Sequence, residues 1–383
     1  MSPAMAMNDE RIDDSHAIEN EYHKGVKHLY EKGFLHKVPK KYIFPATERP
    51  TSIDDSNVAK EKLQLPIIDF ADLIGPNRPQ ALQSLANACE KYGFFQLVNH
   101  NISEDVTRCM VDVVGRFFDL PLEERAKYMT SDMRAPVRYG TSFSQTKDSV
   151  FCWRDFLKLI CQPDYIPHWP ASPLDFQEVV ATYTQETKHL FLAIMEAILE
   201  SLGIMEDNQE EEAKENNDNN NNNNIMKELD NGSQMLVTNF YPPCPEPDLT
   251  LGMHPHSDYG FLTLLLQDEV EGLQIQFQDK WLTVQPIPNA FVVNIGDHLE
   301  IFSNGKYKSV LHRVMVNEAK SRVSVASLHS LPFECTVRPS PKLIDEENPK
   351  RYMDTDFGSF LAYVSTRETK KKDFLESRKL TYT

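Results

Sequence analysis

Cysteine is scarce in this chain and never paired. Cys89, Cys109, Cys152, Cys161, Cys244 and Cys335 are scattered, and no CxxC spacing occurs among them. That argues against a zinc knuckle or a disulfide scaffold and fits reduced thiols in a cytosolic protein. Long hydrophobic runs are absent too: none reaches the ~20 residues needed to span a bilayer. Residues 1–20 are polar and acidic, without the charged-then-apolar pattern of a secretory signal, so a cytoplasmic protein away from membranes is expected. Basic residues are outnumbered, 40 Lys and Arg against 57 Asp and Glu. The resulting net charge of −17 repels phosphate backbones, and nucleic acid is not an expected partner. No internal repeat is visible. What the 383 residues do have is an ordinary hydrophobic fraction of 40%, enough for a sizeable core in one large domain or two small ones.

The pattern changes along the chain. Residues 1–20 are expected to be disordered. A helix-rich region over 21–205 follows, with helices over 21–32, 79–92, from Ser103 through Phe117, and over 176–202, the last ended by Gly203. Strands are expected over 66–70 and 94–99, and loop with strand over 130–165. The segment 206–230 is acidic and Asn-rich, and its composition predicts a flexible surface insertion. Short apolar strands then recur over 235–240, 262–267, 273–277, 291–295, 310–316 and 323–328, separated by turn residues such as Asn304-Gly305. That rhythm predicts an antiparallel double sheet or barrel within 231–340. The tail, 341–383, carries Phe357, Phe360, Leu361, Tyr363 and Phe374 and is expected to form a helical lid; its basic run Lys370–Lys372 reads as a solvated face. The fold class is therefore α+β with a mainly β core.

The densest chemical signal is His256-Ser257-Asp258, followed far downstream by His312 and then by Arg322-Val323-Ser324. A lone His-x-Asp is common in solvated loops, and His312 or Arg322 alone reads as a core histidine or a surface ion pair. Order and spacing give the set its meaning. Residues i and i+2 of a strand share a face, so His256 and Asp258 can grip one ion, and His312 from a distant strand closes the triangle. Two imidazoles and one carboxylate are the set that holds non-haem Fe(II) with other positions open. Arg322 offers a planar fork of donors, and Ser324 a hydroxyl on the same strand face. Together they could hold the far carboxylate of a dicarboxylic cosubstrate whose other end chelates the metal.

Flanking segments add to this set: Asn239-Phe240-Tyr241-Pro242-Pro243-Cys244-Pro245 before the first ligand, and Ser303-Asn304-Gly305-Lys306-Tyr307-Lys308-Ser309-Val310-Leu311-His312-Arg313 around the last. Leu65-Pro66-Ile67-Ile68-Asp69-Phe70, Tyr92-Gly93-Phe94-Phe95-Gln96-Leu97-Val98-Asn99-His100 and Phe117-Phe118-Asp119-Leu120-Pro121-Leu122-Glu123-Glu124 extend them upstream. With these motifs, from roughly residue 25 to 380, the chain resembles the plant soluble 2-oxoglutarate- and Fe(II)-dependent dioxygenases that include flavonoid, gibberellin and alkaloid oxidases. The resemblance implies a distorted double-stranded β-helix, or jelly roll, flanked by helices. It implies Fe(II) with 2-oxoglutarate and O2 as cosubstrates, ascorbate supporting activity, and release of succinate and CO2 as a small molecule is hydroxylated. By the same resemblance Asn239 and Tyr241 would contact 2-oxoglutarate. Phe143, Trp153, Val237, Phe240, Leu328 and Ser330 would wall the substrate pocket. Some flavonoid-acting relatives carry a charged pair where this chain has Val237 and Ser330, which weakens a direct anthocyanidin-synthase reading. A monomer acting on an apolar or aromatic specialised metabolite or hormone is expected. An oxidase of the same fold that does not use 2-oxoglutarate, and a non-catalytic small-molecule-binding protein, stand as alternatives.

Overall fold

Strand alternation organises the molecule. In the computed structural model, which describes residues 21–33, 36–50, 62–142, 148–161, 163–205, 221–366 and 373–381, thirteen strands form two sheets. They are β1 (Lys62–Leu63), β2 (Ile67–Asp69), β3 (Phe94–Val98), β4 (Val137–Thr141), β5 (Asp155–Ile160), β6 (Ser233–Tyr241) and β7 (Met253–His256). After them come β8 (Leu262–Gln267), β9 (Leu273–Phe277), β10 (Lys280–Val284), β11 (Phe291–Ile295), β12 (His312–Val314) and β13 (Arg322–Ser330). The large sheet runs β2-β3-β11-β8-β13-β6-β5-β4, and the small one β1-β10-β9-β12-β7. Most pairs are antiparallel; β2 with β3 and β1 with β10 are parallel. This is the α+β, jelly-roll architecture that the sequence predicted.

The two faces of the large sheet have different tasks. Leu236, Phe240, Leu264, Val325, Phe291 and Val293 point outward into a core shared with the helices Glu104–Phe118 and Phe176–Ser201. Phe118 stacks on Phe240 at 5.4 Å between ring centroids, and Phe191 stacks on His329 at 4.4 Å. The other set of alternate residues faces the small sheet. Ridge-lined helices cover the first face, so the second is left to form a cavity.

The N-terminal helix Val26–Glu31 is pinned to β5 by a buried carboxylate. Asp155 accepts from the backbone N–H groups of Val26 (2.9 Å) and Lys27 (3.1 Å), two of the donors that a helix start leaves without intrahelical partners. Gly25 makes room for it: φ is 100°, and a Cβ there would lie 2.5 Å from Asp155 Oδ2.

Three expectations change. The segment 206–230 is not wholly a flexible insertion: Asn221–Asp230 is a helix, because Ile225 and Leu229 bury against the long helix and supply an apolar stripe that the asparagines lack. Its part over 206–220, like residues 1–20 and Lys370–Lys372, lies outside the described residues. Strand β7 ends at His256, so Asp258 lies beyond the strand rather than two places along it. The strand expected over 310–316 is only His312–Val314.

Candidate metal centre and cosubstrate cavity

His256 and His312 are direct register partners across β7 and β12, which brings their rings to 4.1 Å between centroids. Asp258 reaches the same point from the loop after β7. Its Oδ1 lies 3.8 Å from Nε2 of each histidine, and one ligand atom from each of the three residues falls within 4.8 Å of the others. Among the described residues no other His, Cys, Asp or Glu group forms such a cluster.

The surroundings orient all three. Nδ1 of His256 lies 2.8 Å from the His254 carbonyl, and Nδ1 of His312 lies 3.3 Å from that of Val310. A carbonyl can only accept, so the proton sits on Nδ1 and Nε2 is left bare for a metal. Asp258 is held likewise. Its Oδ2 accepts from Thr263 Oγ1 (2.6 Å) on β8 and from Asn294 Nδ2 (2.8 Å) on β11, leaving Oδ1 facing the histidines. Burial, and then the facing His312, hold His256 well below the usual imidazole range, so it is neutral as a ligand must be. Burial pushes the Asp258 carboxyl up, but His312, His256 and the two hydrogen bonds outweigh it and leave the group below its ordinary value. A neutral His256 beside a firmly ionised carboxylate suits a divalent cation.

These ligands overhang a cavity whose floor is the inner face of the large sheet. Register arranges that floor in rows. Met235, Leu328, Thr263, Asn294 and Phe94 form one row across β6, β13, β8, β11 and β3. Arg138, Lys158, Val237, Ala326 and Leu265 form the next, from β4 to β8. Phe156, Asn239 and Ser324 form a third, and Tyr241 lies opposite Arg322 in the last. The C-terminal helix Phe357–Thr366 contributes Phe357, Phe360 and Leu361 to the wall.

Arg322 is built to receive a ligand. Its Nε donates to the Val270 carbonyl (3.2 Å) and its Nη2 to Gln267 Oε1 (2.8 Å), which fixes the plane of the fork. Its Nη1 is buried and finds no acceptor among the described residues. A native protein rarely leaves such a donor empty, so the cavity has a place for an anion there. Ser324 Oγ lies 3.4 Å from Asn239 Nδ2. Tyr241 packs beneath Arg322, 5.2 Å from guanidinium to ring, and only glycine fits at 252, where a Cβ would come within 2.7 Å of the Tyr241 ring.

The cavity thus unites His256, Asp258, His312, Arg322, Ser324, Asn239, Tyr241, Val237 and Leu328. Three expected wall residues are elsewhere. Phe240 has the opposite strand parity from Val237 and Asn239 and stacks on Phe118 in the outer core. Trp153 is buried in a separate core with Tyr42, its indole N–H donating to the Pro242 carbonyl at 3.0 Å. Ser330, at the far end of β13, bonds His298 Nδ1 at 2.8 Å. Phe143 lies outside the described residues. Sequence reasoning missed Thr263 and Asn294; a polar residue inside the apolar run Phe291-Val292-Val293-Asn294-Ile295 was the available signal, since burial there demands a partner. It also missed Arg138, Arg154 and Lys158, which line the β4–β5 side.

Comparison with known proteins agrees with this geometry. The profile of the 2OG-Fe(II) oxygenase superfamily matches residues 232–330, and that of the non-haem dioxygenase in morphine synthesis N-terminal region matches residues 65–176. Protein DMR6-LIKE OXYGENASE 1 of Arabidopsis thaliana is 41% identical over 313 residues, which are 81% of this chain and 84% of the relative. Flavanone 3-dioxygenase 2 of Oryza sativa subsp. japonica is 36% identical over 342 residues, 88% of this chain and 93% of the relative. The crystal structure of JOX2 in complex with 2OG, Fe and JA superposes with a TM-score of 0.80 at 31% identity, covering 93% of this chain and 98% of that one.

Proposed function

Since the chain belongs to the 2OG-Fe(II) oxygenase superfamily and is an oxidoreductase that uses Fe(II), 2-oxoglutarate and O2, we propose that His256, Asp258 and His312 hold the iron and that Arg322 and Ser324 anchor the distal carboxylate of 2-oxoglutarate. The observation that carries this reading is the pairing, in one cavity, of a three-residue ligand cluster with the buried, acceptor-free Nη1 of Arg322. Asn239 and Tyr241 complete the cosubstrate pocket between them. When bound, iron supplies the O2 chemistry that decarboxylates 2-oxoglutarate to succinate and oxidises a C–H bond. The protein's own work is to hold Nε2 of each histidine bare, keep Asp258 ionised, orient the Arg322 fork and exclude water with an apolar wall.

The substrate is a small apolar or aromatic metabolite, hydroxylated under a lid to which the C-terminal helix Phe357–Thr366 contributes. Phe94, Phe156, Phe357 and Phe360 in the wall support an apolar body. The net charge of −17 supports a small-molecule partner rather than nucleic acid, and no helix among the described residues is long and apolar enough to cross a membrane. A cytoplasmic monomer completes the reading. The alternatives of an oxidase independent of 2-oxoglutarate and of a non-catalytic binder are not favoured, because an intact ligand cluster and an intact carboxylate anchor stand together.

The test is iron content and succinate release in His256→Ala and Asp258→Asn. Both variants should lose iron and turnover, the second because it keeps shape but removes the charge that balances Fe(II). Retained iron with full turnover in either would reject the ligand assignment.

A further inference from the structure

Resting on that reading, we propose that Asp297 is a positioning residue that holds the two ligand-bearing segments at one spacing, so that a metal meets His256, Asp258 and His312 already in place. Asp297 opens the short helix Asp297–Phe302 and is buried, with an exposure of 2%. Its Oδ2 accepts from Ser257 Oγ (3.2 Å), and its Oδ1 accepts from Ser309 Oγ (2.7 Å). Ser257 stands between two of the ligands, and Ser309 lies three residues before the third. One carboxylate thus spans both sides of the site without belonging to the ligand cluster.

The backbone around Asp297 reinforces the same contact. Its N–H donates to the Asp258 carbonyl (2.7 Å), and that of His298 to the Tyr259 and Gly260 carbonyls (3.1 Å each). The N–H of Gly296 donates to the Phe261 carbonyl (3.0 Å). Only glycine permits this approach at 296, since a Cβ there would lie 2.1 Å from the Gly260 carbonyl oxygen. Asn294, just upstream, adds its bond to Asp258 Oδ2. The segment before His312 is gripped twice. Besides the bond from its hydroxyl to Asp297, Ser309 gives its N–H to Glu300 Oε2 (2.6 Å), from the same short helix. Glu300 is buried as well, and its Oε1 accepts from the Tyr352 hydroxyl (2.8 Å), which fixes the carboxylate in turn.

Strand pairing alone cannot do this work. Ser257, Asp258 and Ser309 all lie outside β7 and β12, so the ladder between those strands does not set their place. Asp297 and its neighbours do. A buried carboxylate costs desolvation that a neutral side chain would avoid. What it adds is two acceptor oxygens in one rigid plane, each able to take a hydroxyl proton in a charge-assisted bond. Favouring the start of its own helix gives no reason for both oxygens to reach a serine, one from each ligand segment. Ligands held in place beforehand need not be ordered when the metal arrives, and that raises affinity.

The experiment titrates the metal-stripped protein with Co(II), a divalent probe whose visible absorption reports the geometry of its ligands, and reads affinity by competition with a chelator. Asp297→Asn should weaken Co(II) binding about 10- to 100-fold and shift the absorption bands. Ser257→Ala and Ser309→Ala should each weaken it by less. Neither should add to the loss in an Asp297→Ala background, where the shared partner is gone. Ser257→Thr keeps the hydroxyl and should recover most of what Ser257→Ala loses. Urea unfolding of the metal-free variants shows which remain folded; if Asp297→Asn does not, the serine variants, each lacking only a hydroxyl, decide. The proposal is overturned if Asp297→Asn, or both serine-to-alanine variants, keep the unaltered affinity and absorption, whatever their metal-free stability. His256→Ala, run alongside, tests the underlying ligand assignment. Unaltered Co(II) affinity there rejects that assignment, whereas loss there with none in Asp297→Asn rejects only the role of Asp297.

Discussion

Lys158→Met should make the protein more stable at neutral pH. Burial, and then the neighbouring charge of Arg138, push the Lys158 ammonium down from 10.5 to about 8; Asp132 opposes them weakly. At about 1.4 kcal/mol per pH unit, that drop corresponds to about 3 kcal/mol by which folding penalises the charged form. Methionine keeps the apolar stem and removes the charge, but gives up the bond to the Met133 carbonyl, worth about 1 kcal/mol. A net gain of about 2 kcal/mol follows. The pH dependence gives the sharper check. The folded pKa lies below the unfolded one, so the penalty is fully present below pH 8, shrinks as pH rises, and vanishes near 10.5 where the unfolded lysine also loses its proton. Urea titrations of both proteins between pH 7 and 10.5 should show the variant ahead at neutral pH and the gap closing above 8. Equal stability at pH 7, or a gap that does not change with pH, would refute the claim that burial holds the Lys158 ammonium below its ordinary value.

Arg322→Lys keeps a positive charge but loses the planar fork that Val270 and Gln267 orient. It should weaken 2-oxoglutarate strongly with iron content nearly intact, and an unchanged cosubstrate affinity in a titration would remove Arg322 as the anchor. Asn294→Ala removes one of two donors to Asp258 Oδ2 and should lower iron affinity about 10- to 100-fold, read by competition with a chelator. Wild-type iron affinity in that variant would leave Thr263 alone as the support of the carboxylate.

Much of the fold and the ligand set was legible along the chain, for a physical reason. His256, Asp258, His312, Arg322 and Ser324 are chemically unusual residues whose spacing is set by strand geometry, and alternation of apolar residues marks strands wherever one face is buried. The helices over 79–92, from Ser103 and over 176–202 were visible for the same reason, through stripes buried in one core. What local pattern could not carry was which face of a strand meets which neighbour. Phe240 and Val237 are three residues apart, but opposite parity sends one to the helices and the other to the cavity. Trp153 looks like a pocket wall until its indole is seen bonded to Pro242 in a separate core. Asn221–Asp230 is helical only because the long helix offers Ile225 and Leu229 a place to bury. The clearest case is β5 and the residue before it. Arg154 and Lys158, with Phe156 between them, occupy alternate positions, and two charges in such a row read as an outward, solvated face. Only the tertiary structure, by laying β4 and β5 beside β6 and closing the small sheet and the C-terminal helix over them, turns that face inward and buries its charges in the cavity wall.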